Sequence, residues 1–222
     1  MRCGMYQAIG AGMMVAALAA GCQKTGTPEI AKPQPAPKIS LQEPPQPTPV
    51  GKPAAPAPSV PQIPKVALTE KLVATCKVKV GDRLPETTAL AGLDGKPLSQ
   101  LFGPTATVVL LWTTASPYAL QALEDLGADV AAAYGSKGVA VIGINVKDPA
   151  ESAQKAVQSA GVQYPQLRDP QGDYFGLVAT EGLPRLYLLD STGTIRWFDV
   201  QYQESTRQDL LLALSAMIGK SP

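Results

Sequence analysis

The chain of 222 residues carries 19 basic against 18 acidic side chains and not one histidine. A net charge of +1 with no long basic run gives no electrostatic footprint for nucleic acid. The missing imidazoles exclude a Ser-His-Asp triad, a Cys-His pair and any zinc site that needs a His ligand; with three cysteines far apart, at 3, 22 and 76, neither a metal nor a cofactor is expected.

In chain order, one positive charge at Arg2 precedes a small, apolar run over residues 8–20. That is the form of a secretion signal, expected over residues 1–21, and it is shorter than the ~20 residues a membrane span needs. Leu18-Ala19-Ala20-Gly21-Cys22 resembles the bacterial lipobox, which implies diacylglycerol on the Cys22 thiol and a membrane anchor at a mature N-terminus. An ordinary cleaved signal that releases the protein is the other reading. Gln23 stands where an Asp would mark retention at the inner membrane, which tilts the expected anchor toward the outer membrane, facing the periplasm. Of the 22 prolines, 13 then fall between positions 28 and 64, in a segment with no Phe, Trp or Tyr. Such a segment buries too little apolar surface to offset the entropy of ordering, so residues 22–70 are expected to be a disordered Pro-rich tether. One folded domain is expected over residues 71–222.

Within that domain, residues 72–80 alternate loosely before Gly81-Asp82 and Pro85, which predicts a short strand and a turn. Residues 87–93, with Asp94-Gly95 after them, predict one arm of a hairpin. The continuous apolar run TATVVLLW at 105–112 predicts a strand buried on both faces. Leu123, Leu126, Val130 and Tyr134 then recur at helical spacing, and VAVIGIN at 139–145 is a second buried strand. Asp148-Pro149 opens another helix with Ala153, Val157 and Ala160 on one face and Gly161 past its end. Residues 186–189, the turn Asp190-Ser191-Thr192-Gly193 and residues 194–200 make an antiparallel hairpin. A last helix starts at Ser205 with Gln208 in a capping box and turns Leu210, Leu214 and Met217 inward. The order is strand, helix, strand, helix, strand, strand, helix: an α/β chain with a mixed sheet covered by helices on both faces.

From Val80 to about Gly219 the sequence resembles the thioredoxin-like superfamily, in particular the membrane-tethered TlpA/ResA-type thiol-disulfide proteins and the neighbouring AhpC/TSA redoxin group. The resemblance rests on Val80-Gly81-Asp82 with Pro85, Leu93-Asp94-Gly95-Lys96-Pro97, the strand ending in Trp112, Tyr164-Pro165 with Asp169-Pro170-Gln171-Gly172, and Gly182-Leu183-Pro184 ahead of Leu186-Tyr187-Leu188-Leu189-Asp190 and Gly193. It implies the three-layer α/β/α thioredoxin-like fold. In such families the strand leads into Trp-Cys-x-x-Cys at a helix N-terminus, where the unpaired N–H groups favour a thiolate. Aligned on Trp112 and Pro117, the two cysteines fall on Ser116 and Ala119, and the preceding Trp on Ala115. Oxygen does not cycle through a disulfide and no histidine is present to activate Ser116, so no catalytic residue is expected at this degenerate site. Thr113-x-x-Ser116-Pro117 resembles the peroxiredoxin Thr-x-x-Cys-Pro pattern with the same atom missing. Ser116-Pro117 is also what an ordinary helix start looks like, a Ser cap followed by Pro at the first helical position.

The resemblance further implies a cis bond before Pro184, exposing the Leu183 backbone to an extended peptide in a groove lined by Trp112, Tyr118, Leu183 and Arg185; the same Trp112 and Leu183 also suit plain packing at the core edge. Asp169 to Asp173 read as nothing beyond a turn. Cys76 alone keeps a thiol in the domain; an inert buried thiol and an intermolecular partner are both open for it. The leading expectation is a redox-inactive binding or scaffold domain tethered in the cell envelope through Cys22, with a protein or peptide partner at Leu183-Pro184. The alternative is a thiol-disulfide oxidoreductase or peroxide reductase acting through Cys76 or through a partner's cysteines.

Overall fold

Residues 106–112 are buried at every position, as expected of a central strand whose Val and Leu side chains meet helices on both sides. A computed structural model describes residues 62–96 and 102–219; the signal, Cys22 and most of the proposed tether lie outside the described residues. In chain order the elements are α1 (Glu70–Ala74), β1 (Ala91–Gly92), β2 (Ala106–Trp112), α2 (Pro117–Asp125), a π-helical turn (Leu126–Ala131) running into α3 (Ala132–Tyr134), β3 (Val139–Val146), α4 (Ala150–Ser159), β4 (Gln166–Asp169), α5 (Asp173–Val178), β5 (Arg185–Asp190), β6 (Ile195–Val200) and α6 (Glu204–Ile218).

The six strands form one sheet in the order β1-β4-β3-β2-β5-β6. β2, β3 and β4 run parallel, while β5 is antiparallel to β2, β6 to β5 and β1 to β4. Right-handed crossovers from β2 to β3 and from β3 to β4 step in the same direction and place α2 and α4 on the same face. On that face Val108, Leu110, Trp112, Leu186 and Leu188 meet Ala119, Leu123, Ala153, Leu210 and Leu214. On the other, Val109, Leu111, Ile144, Tyr187 and Leu189 meet Leu84, Tyr174, Phe175 and Val178. The result is the three-layer α/β/α arrangement with a mixed central sheet.

Several local expectations are corrected. Residues 72–80 form no strand: Thr69 caps α1, its hydroxyl accepting the Leu72 N–H at 3.4 Å, and within 72–80 a single isolated bridge joins Cys76 to Ala179. Residues 87–93 contribute two strand residues, which pair with β4 rather than with a neighbouring hairpin arm. β4 and α5 were not foreseen, because a four-residue strand and a six-residue helix are too short to show a period. The 169–173 segment is more than a turn: the buried Asp169 carboxylate accepts the Phe175 N–H at 2.8 Å and so holds α5 against the end of β4. α6 begins at Glu204 without a side-chain cap, and Gln208 donates to the Glu204 carboxylate instead of closing a capping box with Ser205. Ile63 and Val66, expected to lie in the tether, pack against the core.

Candidate functional site

The strand-to-helix junction after β2 is a locally saturated structure. Ser116 sits in extended backbone (φ −110°, ψ 116°), its Oγ accepts the Ala119 N–H at 3.4 Å, and Pro117 follows at the first helical position, where its missing N–H costs nothing. Ala119 and Ala122 are fully buried against the sheet, so the methyl group at the second position of interest is core. The residues just before Ser116 are pinned by Asp148. Its carboxylate accepts from Thr113 Oγ1 at 3.0 Å, the Thr114 N–H at 2.7 Å and Asn145 Nδ2 at 2.6 Å. Asp148 is therefore not the cap of α4, which begins at Ala150 with no side-chain cap at all. Its role escaped the sequence because a bond from Asp148 to Thr113 spans 35 residues and depends on β2 and β3 being neighbours.

Trp112 does not line a groove. It is fully buried, and its indole Nε1 donates to Gln166 Oε1 at 3.0 Å. Gly143 on the intervening strand leaves the room for that amide, since a Cβ there would overlap the Gln166 side chain. Trp112 thus packs as core, the second of the two readings of this residue.

The Leu183-Pro184 bond is cis, preceded by Gly182 at φ +86°, a left-handed value that suits glycine. Pro184 is buried and its carbonyl accepts the Gln201 N–H at 2.8 Å, whereas neither backbone group of the half-buried Leu183 has a hydrogen-bond partner among the described residues. Tyr118 stands 61% exposed on the first turn of α2. Arg185 turns away from this surface and is 0% exposed, beneath the opposite face of the sheet with Tyr187. The groove expected from sequence therefore loses Trp112 and Arg185, and of its other members Tyr118 is exposed and Leu183 half-buried.

Arg185 instead gathers a second polar group. Nε donates to the Gly182 carbonyl at 2.9 Å, Nη2 to the Glu181 carbonyl and Thr75 Oγ1, and Nη1 to Cys76 Sγ at 3.2 Å. It forms no ion pair among the described residues. Cys76 Sγ lies 3.2 Å from the Leu72 carbonyl, to which the thiol donates, and it is partly exposed, not sealed in the core. Nearby lies the buried Tyr187 hydroxyl, beside the Arg185 guanidinium. Burial pushes its pKa up, so it stays a neutral donor, while Arg185 and Cys76 both act on it electrostatically.

The fold built on this sheet is shared with solved proteins. A proposed protein disulfide isomerase from Bacteroides thetaiotaomicron is 24% identical, with a TM-score of 0.60 over 66% of this chain and 94% of its own. A proposed thiol:disulfide interchange protein from Chlorobium tepidum is 21% identical, with a TM-score of 0.56 over 64% of this chain and 99% of its own. The thioredoxin domain of a thiol-disulfide oxidoreductase from Bacteroides vulgatus is 17% identical, with a TM-score of 0.53 over 64% and 99%. These likenesses show a thioredoxin-like fold. No curated protein sequence matches the chain. Residues 80–198, from the turn after α1 to the outer strand β6, match the AhpC/TSA family, and with more than half of its length covered the chain belongs to that family.

Proposed function

We propose that the protein is a thioredoxin-like domain that binds an extended segment of another envelope protein and carries out no thiol exchange at the front of α2. The observation that carries this reading is the contrast between Ser116 and Leu183. Ser116 Oγ is engaged in capping α2 and Ala119 is sealed in the core, so the helix start has no group able to accept electrons. Leu183, beside the cis bond, keeps its N–H and C=O without a partner among the described residues. An extended peptide pairing there gains main-chain hydrogen bonds without any chemistry. A lipid on Cys22 and the Pro-rich segment would give the domain a wide reach from the membrane: the 39 residues from Gln23 to Pro61, ahead of the packed Ile63, would span up to about 120 Å at ~3.1 Å each in polyproline II geometry. The lipobox resemblance and Gln23 support an anchor at the outer membrane facing the periplasm.

The test is amide exchange at Leu183 in the purified full chain, titrated with extended peptides from envelope proteins, alongside an insulin-reduction assay. Binding that protects the Leu183 amide, with insulin reduction at background, is the expected result. Peptide binding that leaves that amide unprotected, or insulin reduction that disappears on Ser116→Ala, would overturn it.

A further inference from the structure

The outer strand of the sheet, β6, is covered by chain that does not pair with it. Among the described residues no backbone hydrogen bond joins 62–68 to 195–200, and Pro64 has no N–H to offer a ladder. Side-chain packing alone holds this segment, and it leaves a cavity of about 460 Å³ between Ile63, Val66 and Leu68 on one side and Trp197 and Phe198 of β6 on the other. Apolar walls around a space of that size are what small-molecule sites offer.

Two features say what the occupant carries. The charged side chains of the lining are both cations, and no carboxylate belongs to it. Lys65 is exposed and makes no ion pair among the described residues; Arg196 holds Asp190, outside the lining, through Nε and Nη2 at 2.7 Å each. Independently, Trp197 reaches the cavity from the core. It is 1% exposed, and its indole N–H has no partner among the described residues, although buried donors are nearly always paired.

We infer that this cavity binds an aliphatic carboxylate, a small anion with a flexible apolar chain. The carboxylate supplies the acceptor that the Trp197 N–H lacks and the counter-charge that Lys65 lacks. The chain covers Ile63, Leu68 and Phe198, which gain by leaving water. Because segment 62–68 is held by side chains and not by a ladder, it can shift to admit the chain without breaking the sheet. No lining residue belongs to the Leu183 surface or to the front of α2, so the inference stands apart from peptide binding.

The experiment follows the two indole N–H resonances of the nitrogen-15-labelled full chain, those of Trp112 and Trp197, assigned from through-space contacts. Decanoate, the uncharged decanol and the short anion propionate are added separately. Decanoate is expected to move the Trp197 resonance, half-saturating near about 0.1 mM, and to leave that of Trp112 in place. Decanol should bind at least about tenfold more weakly, and propionate should move nothing at the same concentration. Lys65→Glu alters an exposed side chain, so the fold is kept; it should weaken decanoate about tenfold and leave decanol unchanged. A Trp197 resonance that decanoate does not move would overturn the inference, the cavity then holding water and any uptake belonging to the apolar run at 8–20. Equal binding of decanol, or decanoate binding untouched by Lys65→Glu, would overturn it too. So would a shift seen only with phosphatidylglycerol vesicles, which would make the surface one for lipid.

Discussion

The two faces of the sheet treat their charged groups differently near the end of β2. On the α2 face the groups around the helix start are engaged in structure: Ser116 caps, Asp148 holds three donors and Trp112 is tied to Gln166, while Gln166 Nε2 and the Trp197 indole N–H of the same core have no partner among the described residues. Beneath the other face, the wholly buried Arg185 has no carboxylate partner among the described residues, and the partly exposed Cys76 thiol lies against it. In this fold the family's chemistry is expected on the α2 face. Here the charge beside that face is matched by three donors, and the buried charge beneath the other face meets only neutral acceptors.

That difference is open to direct attack. The largest expected effect is from Asp148→Ala, which leaves the Thr114 N–H, the Thr113 hydroxyl and the buried Asn145 amide without their common acceptor. Unfolding in urea should show a loss of about 3 kcal/mol, because bonds to a charged acceptor are worth more than neutral ones and orphaned donors add their own penalty. A loss well under that would mean the α2 face is less saturated than the geometry implies. Ser116→Ala should cost about 1 kcal/mol, the ordinary worth of a helix cap, and should leave background insulin reduction unchanged. Ser116→Cys with Ala119→Cys sharpens the same point. If it produces insulin reduction, the scaffold on this face retains the geometry and lacks only sulfur.

How much of this was legible beforehand follows from the distance over which each feature is determined. β2, β3 and the β5-β6 hairpin are written in local apolar runs and a turn sequence, so they could be read directly. The Ser116-Pro117 helix start is equally local. The role of Asp148 was not legible, since its proximity to Pro149 mimics a cap while its partners belong to another strand. Nor was the association of Cys76 with Arg185, 109 residues apart, which arises because an isolated bridge to Ala179 brings the segment after α1 to the start of β5. Arg185 itself was misplaced: period-2 alternation from the buried Leu186 puts it on the opposite face from α2, but the choice of which face is core to which helix comes only with topology.

Tyr187→Phe tests the other face with a smaller effect. It leaves the ring on Phe198 and removes a buried hydroxyl beside Arg185, so stability in urea should change by no more than about 1 kcal/mol. A larger loss would mean that this hydroxyl helps to hold the buried Arg185.

The smallest effect concerns the one carboxylate near the α2 face whose burial outweighs its partners. Asp199, on β6, accepts from the Val200 N–H at 2.7 Å and from the buried Thr206 hydroxyl of α6 at 2.7 Å. Desolvation nevertheless raises its pKa above the usual carboxylate value, with Asp209 adding to the rise. A carboxyl whose folded pKa lies above its unfolded value binds its proton more tightly when folded. Its contribution is fully present below the unfolded pKa of about 3.9 and is lost as pH rises through the folded pKa. Urea midpoints measured downward from neutral pH should therefore include a stabilising component from Asp199 as it protonates, set against the opposite trend of carboxylates such as Asp190. For Asp190, burial alone would raise the pKa, but Thr192, Thr194 and Arg196 hold it down. Asp199→Asn keeps an acceptor for one of the two donors and cannot titrate, so wild type should lose stability relative to the variant as pH rises from acid toward neutral. If that difference is flat across the range, Asp199 is better solvated than its place between β6 and α6 implies.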